Sequence, residues 1–277
     1  MFVAAMCVSV TSCSDNNDEP GGNETSGVVN PSNVFTGQMP KSVAGTTISR
    51  NSDGLVTEVK TTDGKTITFE YPSNSRAEDV LNTVTMKVVD DYSVADYALV
   101  IGSNGFVSSA HYKVVTDTYP KESEEGDWSF KYDSDGHLTC ADYDYVDEQG
   151  HDTYSVTLKW KDGNIVNTFK DDGWDNYTYL YTSNTQKSAI ENKGALFMFE
   201  SIYAVEIYDF EWVYYAGMLG KGPKSLAVAA YEDDDDEELM EYIWTLDDNG
   251  YPIKFKEKDD DMDEDEPNSS VINFSWQ

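Results

Sequence analysis

The chain has 277 residues, with 52 Asp and Glu against 19 Lys and Arg, a formal net charge of −33 and a sequence pI near 4.1. Arginine occurs only at Arg50 and Arg76, which sets nucleic acid aside as a partner, because phosphate recognition needs clustered Arg and Lys. The length suffices to bury a large core, and so acidic a surface favours solubility and attracts divalent cations or basic partners.

The chain opens on "MFVAAMCVSVTSC", an apolar run whose last residues before Cys13 are small. It resembles a bacterial lipoprotein signal peptide, although no Lys or Arg precedes the run. Such a segment is removed and takes no part in the fold, and it is too short for a transmembrane anchor, which needs about 20 apolar residues. Residues 1–12 are therefore the expected signal peptide and Cys13 the expected lipidation site. The stretch "SDNNDEPGGNETSGVVNPSN" that follows is polar and rich in Gly, Pro, Asn and Ser. It cannot bury enough apolar surface to offset its ordering entropy, so residues 13–42 are expected to be a flexible acidic tether. Asp15, Asp18 and Glu19, directly after the cysteine, resemble the surface-export signal of Bacteroidota lipoproteins. The resemblance implies a protein anchored in the outer membrane by lipid and exposed at the cell surface; stable anchoring takes more than one acyl chain. Cys140 is then the one thiol left in the mature chain, which excludes an intramolecular disulfide and makes a small buried hydrophobe the expected role.

From residue 43 to residue 277 the sequence predicts a single antiparallel β domain, a meander of hairpins forming a barrel-like or strongly curled sheet. Apolar residues alternate in "TITFEY", "YALVI", "WSFKY", "YSVTLKW", "YTYLY", "MEYIWTL" and "VINFSW", the period-two signature of half-buried strands. Between them recur Asn51-Ser52-Asp53-Gly54, Asp133-Ser134-Asp135-Gly136 and Asp247-Asp248-Asn249-Gly250, with Gly102-Ser103-Asn104-Gly105 as a variant. A type I turn favours Asp or Asn at its first position and Gly at its fourth, so these aspartates are read first as caps on backbone N–H groups. A three-residue loop would pair Tyr132 with Leu138 and Phe130 with Cys140, placing the apolar residues on one face. One segment, from Glu191 to Leu226, is dense in apolar residues without clean alternation. It predicts one short helix ending near Gly217 to Gly220, placed to plug one end of a barrel or to cover a sheet face.

The unit "YDSDGHLT" resembles the Tyr-Asp hairpin repeats of Rhs-type proteins, with His137 where those usually carry Arg. Cys13, "NSDGLVTEV", "LDDNGYPIKF" and "YYAGMLGKGPKSL" together resemble a Bacteroidota lipoprotein family of unknown function with a porin-like β fold, to which calcium binding is ascribed. That resemblance spans Val43 to the C-terminus and implies a curled sheet or barrel, with no catalytic residues to carry over.

Three groups of residues are candidates for chemistry. Asp142, Asp144, Asp171, Asp172 and Asp175 are the candidate metal ligands, with calcium as the expected ion; their spacing matches no EF-hand, and turn and solvent-face acids explain them better. Trp160, Trp174, Tyr177, Tyr179 and Tyr181 are the candidate ligand platform, able to stack on sugar rings or peptides if exposed. The acidic runs 232–238 and 259–266 are the third group, read as solvated loops that hold cations loosely. No Gly-x-Ser-x-Gly elbow, His-Glu-x-x-His pair or P-loop is present. The reading is a non-catalytic surface lipoprotein that binds a glycan, a protein or calcium. Its rivals are a carbohydrate-active hydrolase using a carboxylate pair and a structural subunit of an outer-membrane complex.

Overall fold

The structure, a computed structural model, describes residues 28–72, 82–117, 123–147, 150–171, 175–207, 209–233, 239–258 and 271–277. A 3₁₀ turn at Pro31–Asn33 precedes a run of up-and-down strands: β1 (Pro40–Val43), β2 (Thr46–Arg50), β3 (Val56–Lys60), β4 (Thr66–Glu70), β5 (Thr83–Val89) and β6 (Ser93–Ile101). The run continues through β7 (Val107–Thr116), β8 (Ser123–Tyr132), β9 (Leu138–Asp147), β10 (Gly150–Lys161), β11 (Asn164–Asp171) and β12 (Asp175–Tyr181). An insertion follows, holding β13 (Ile190–Glu191), α1 (Phe199–Tyr203), α2 (Phe210–Tyr215) and β14 (Ser225–Leu226). The meander resumes with β15 (Ala229–Asp233), β16 (Leu239–Leu246), β17 (Pro252–Lys258) and β18 (Ile272–Trp276). β18 pairs with β1, so sixteen antiparallel strands close into one barrel, while β13 and β14 pair separately.

The expected turn chemistry sets the hairpins. Asp133 Oδ1 accepts hydrogen bonds from the backbone N–H groups of Asp135 and His137, each at 2.9 Å, and Gly136 takes a φ of 88° that side chains avoid. Asn51 and Asp247 repeat the arrangement. Tyr132 opposes Leu138 as expected, but a bulge between Lys131 and Tyr132 then sets Lys131 against Cys140 and Phe130 against Ala141. The extra residue re-aims the strand. Cys140 is consequently half-buried and donates to Asp142 Oδ1 at 3.1 Å, which corrects the expectation of a buried hydrophobe; burial, followed by the neighbouring Asp142, pushes its thiol up to about 11.

Alternation separates two faces. Met86, Tyr97, Leu99, Trp128, Phe130 and Val156 are among the buried inward residues. Outward positions carry charges that pair across strands, as in Lys87–Asp96 at 3.5 Å, Lys113–Glu125 at 3.7 Å and Lys131–Asp142 at 2.7 Å. A barrel set in lipid has the reverse order, an apolar outer band around a polar interior. No helix among the described residues is long and apolar enough to cross a membrane.

The insertion fills the barrel. Two short helices form where one was expected, and Phe197, Phe199, Phe210, Val213, Tyr214 and Tyr215 are fully buried. Phe210 packs against Tyr97, Trp128 and Phe130 with ring centroids 4.8–5.8 Å apart. The wall also grips the plug backbone: Arg50 donates to Tyr215 O at 2.9 Å and Thr168 Oγ1 to Tyr203 O at 2.7 Å. Packing begins ahead of residue 43. Pro31, Val34 and Phe35 are buried, and Phe35 stacks on Tyr215. This N-terminal segment, the Asn/Asp-Gly hairpin turns and Gln277 share one end of the barrel, which we call the turn end. The turns 44–45, 61–65 and 90–93 mark the opposite end, the mouth.

Candidate functional site

The mouth opens into a cavity of about 510 Å³ between the barrel wall and the underside of the plug. Its walls come from strand ends: Val43, Val88 and Val114 are apolar, and Tyr97, Tyr112 and Trp128 reach in from β6, β7 and β8. The plug contributes Met198, Glu200, Asp209, Glu211 and Trp212. Alternation puts Glu124 of β8 in the cavity as well, where it accepts hydrogen bonds from the hydroxyls of Tyr112 and of Tyr143, the latter at 2.7 Å.

The carboxylates differ in their partners. Asp63 and Asp90 on the rim serve their own turns, Asp90 Oδ1 accepting from the backbone N–H groups of Tyr92 and Ser93 at 2.7 and 2.6 Å. Asp209 accepts from Tyr97 Oη at 3.0 Å and lies 3.9 Å from Lys65 Nζ. Burial nevertheless raises its proton affinity, and the nearby Asp90 and Asp63 add to this. Glu200 is raised too, by burial and then by Glu206 and Asp209. Glu211 has no hydrogen-bond or ion-pair partner among the described residues, and burial, reinforced by Glu200, pushes it up to about 8. It sits deep in the barrel, and the part of its side chain that stays accessible lines the cavity. Lys65 is the one cation among the lining residues. Such a chamber, open at the mouth, holds several carboxyl groups at elevated proton affinity and is floored by aromatic rings.

Nothing in the sequence singled out Glu200, Asp209 or Glu211, although each is an acid isolated in the most apolar stretch of the chain. That isolation was the available signal. Of the expected metal ligands, Asp142, Asp144 and Asp171 do share a shallow depression on the outer wall, joined there by Asp127. Asp142 pairs with Lys131, and Asp127 and Asp144 lie 2.9 and 2.6 Å from His111 and His151. Asp175 opposes Asp171 across β11 and β12, while Asp172 lies outside the described residues. Ligand atoms that do converge within 4.8 Å belong, among the described residues, to Asp133, Asp135 and His137. That trio is a hairpin turn whose Asp133 already caps two N–H groups and contacts His137 Nδ1 at 2.9 Å.

Tyr177, Tyr179 and Tyr181 lie on the outer face of β12, where Tyr179 and Tyr181 are 38% and 45% exposed. Phe169 and Tyr231 extend the ribbon onto the neighbouring strands, with ring centroids 4.5 Å from Tyr177 and 6.3 Å from Tyr179. Trp160 is not part of it. It points inward at the turn end, donates to Leu138 O at 2.7 Å and stacks on His137 at 4.2 Å. Trp174, residues 234–238 and 259–266, and residues 1–27 with Cys13, lie outside the described residues. At the turn end, Lys193, Lys221 and Lys224 surround a broad hollow with Asn33, Gly37 and Tyr251.

No curated protein matches the chain. Among solved structures, the fold is similar to the crystal structure of a porin-like protein from Bacteroides uniformis ATCC 8492, with a TM-score of 0.53 and 12% identity over 84% of this chain and 90% of that one. A porin-like barrel is compatible with an outer-membrane or surface location. Residues 44–254 match the family described as a domain of unknown function (DUF4595) with porin-like fold, and the chain belongs to that family.

Proposed function

We propose that the protein is a non-catalytic, lipid-anchored binding protein of the outer membrane or cell surface, with the mouth cavity as its ligand site. One observation carries this reading: a chamber of about 510 Å³ closed on one side by the plug, into which Glu211 projects without a partner among the described residues. A purely structural plug has no need to turn an unpartnered, half-buried carboxyl into a cavity, where partial loss of solvation costs stability.

The anchor rests on the sequence around Cys13. The described chain starts beside the turn end, with Val28 O near Gly105, so a lipid on Cys13 would tie that end to the membrane and leave the mouth facing away. The charged outer wall keeps the barrel itself in water. The outward tyrosine ribbon supports a glycan or a protein as a second ligand on the wall. Calcium belongs to this reading as a loosely held structural ion over Asp127, Asp142, Asp144 and Asp171, whose paired and spread carboxylates fall short of the six to eight oxygens a tight site needs.

The test is a thermal-shift screen of the mature chain against glycans, amino acids, amines and calcium, repeated on Ser201→Trp, which sets an indole in the mouth from an exposed lining position on α1. A class that raises Tm in the wild type and not in the variant is expected. If no class does so, the binding reading falls. Loss of membrane retention in Cys13→Ala is the matching test of the anchor.

A further inference from the structure

We propose that the mouth takes an aliphatic amine, one or more ammonium groups carried on an apolar stem, rather than a metal ion or a neutral sugar. This rests on the binding reading above and names its ligand class.

The charge imbalance comes first. Glu200 from α1, Asp209 and Glu211 from the start of α2 and Glu124 from β8 face a cavity whose lining holds one cation, Lys65. Lys65 stands 3.9 Å from Asp209, too far for a full-strength contact. Asp63 and Asp90 on the rim add further negative charge. Glu211, half-buried and lining the cavity, has no hydrogen-bond or ion-pair partner among the described residues, so a ligand bringing N–H donors and positive charge supplies what the fold leaves unmatched.

The spacing of the acids then separates a metal from an organic cation. Among the described residues, no three mouth carboxylates bring ligand oxygens within 4.8 Å of one another. A calcium ion bonded at 2.3–2.6 Å would need that convergence. Carboxylates spread around a chamber suit separate N–H donors on a chain. The remaining lining fits the stem: Val43, Val88, Val114 and Met198 offer apolar contact, and the half-buried Trp212 offers an indole that attracts an ammonium. A neutral polyol would satisfy none of the charge and would waste the apolar wall.

The experiment is calorimetric titration of the mature chain with 1,5-diaminopentane, with 1,5-pentanediol and calcium chloride as matched probes. The diamine is expected to bind saturably, more weakly as salt is raised, and the diol at least ten times more weakly. Glu211→Gln, a near-isosteric change to an amide that cannot ionise and should keep the fold, is expected to weaken diamine binding at least tenfold. At pH 7 Glu211 holds its proton, so binding is also expected to release a proton, read from the dependence of the enthalpy on buffer, and the release should vanish by pH 9. A Glu211 with a merely structural role would not produce that signature.

Equal affinity for the diol, calcium binding that Glu211→Gln abolishes, or diamine affinity unchanged in Glu211→Gln would each overturn the proposal. The Ser201→Trp control separates the two levels of failure. If another probe class binds the wild type and not the variant, the amine assignment falls and the binding site stands. If no probe depends on the mouth, both fall.

Discussion

Glu211 shows how one side chain can couple the site to pH. Its folded carboxyl keeps a proton up to about pH 8, against an ordinary 4.5. Between those values the folded state holds more protons than the unfolded one, so this group's contribution to stability falls as pH rises through the window. Glu211→Gln should therefore match the wild type in thermal melts near pH 4.5 and exceed it increasingly towards pH 8.5. A constant difference between the two proteins across that range would refute the assignment. Asp133 in its hairpin turn acts in the opposite sense. His137, through its backbone and side chain, holds the Asp133 carboxyl below its usual range in spite of partial burial, so its contribution is present at neutral pH and lost in acid. Asp133→Ala should cost about 1–2 kcal/mol, as for loss of a comparable side-chain cap, measurable by urea denaturation at pH 7. Asp133 was legible in the sequence because a turn is local and its residue types are dictated by φ and by nearby N–H groups. Glu211 was not, because burial and the lack of a partner come from strands over a hundred residues away.

At the level of elements, the strands and the insertion were legible to different degrees for one physical reason. A strand with one wet and one dry face writes its period into the sequence, as in Tyr177, Tyr179 and Tyr181 on the outer face of β12 against Leu180 inside. The plug is dry on nearly every side, so 195–219 carries no period, and one helix was expected where two form. The β8–β9 bulge recurs at the same offset beside the 51–54, 102–105 and 247–250 turns, so it belongs to the turn geometry itself, which the face-by-face pairing of Phe130 with Cys140 left out. The plug's weight in the fold can be measured. Phe210→Ala removes contacts with three aromatic wall residues and is expected to cost about 3–5 kcal/mol, with a matching fall in the urea midpoint. Gly217 links the plug to the N-terminal segment: its φ is 82°, and an added Cβ would lie 2.6 Å from Pro31 Cα. Gly217→Ala should therefore destabilise by more than the roughly 1 kcal/mol of backbone strain alone.

For the whole molecule, a filled lumen and a charged wall set the fold apart from a pore despite its strand count. Placing Lys87, Lys113 or Lys131 at the middle of a bilayer would cost about 2–4 kcal/mol each, so the barrel should remain in the aqueous phase and add no conductance to planar bilayers. Stable single-channel steps would contradict the plugged barrel. The first and last strands meet at a seam: Met39 and Gln277 exchange both of their backbone hydrogen bonds at 2.9 Å, and Pro40 lies opposite Trp276. Every other junction of the wall joins segments nearer in sequence, so this zipper waits for the final residues to arrive. A chain that has not yet placed β18 would carry two raw sheet edges until then, templates for joining a neighbour. Until Trp276 docks against Pro40, the barrel has no closed wall and both edges stay open to a second chain.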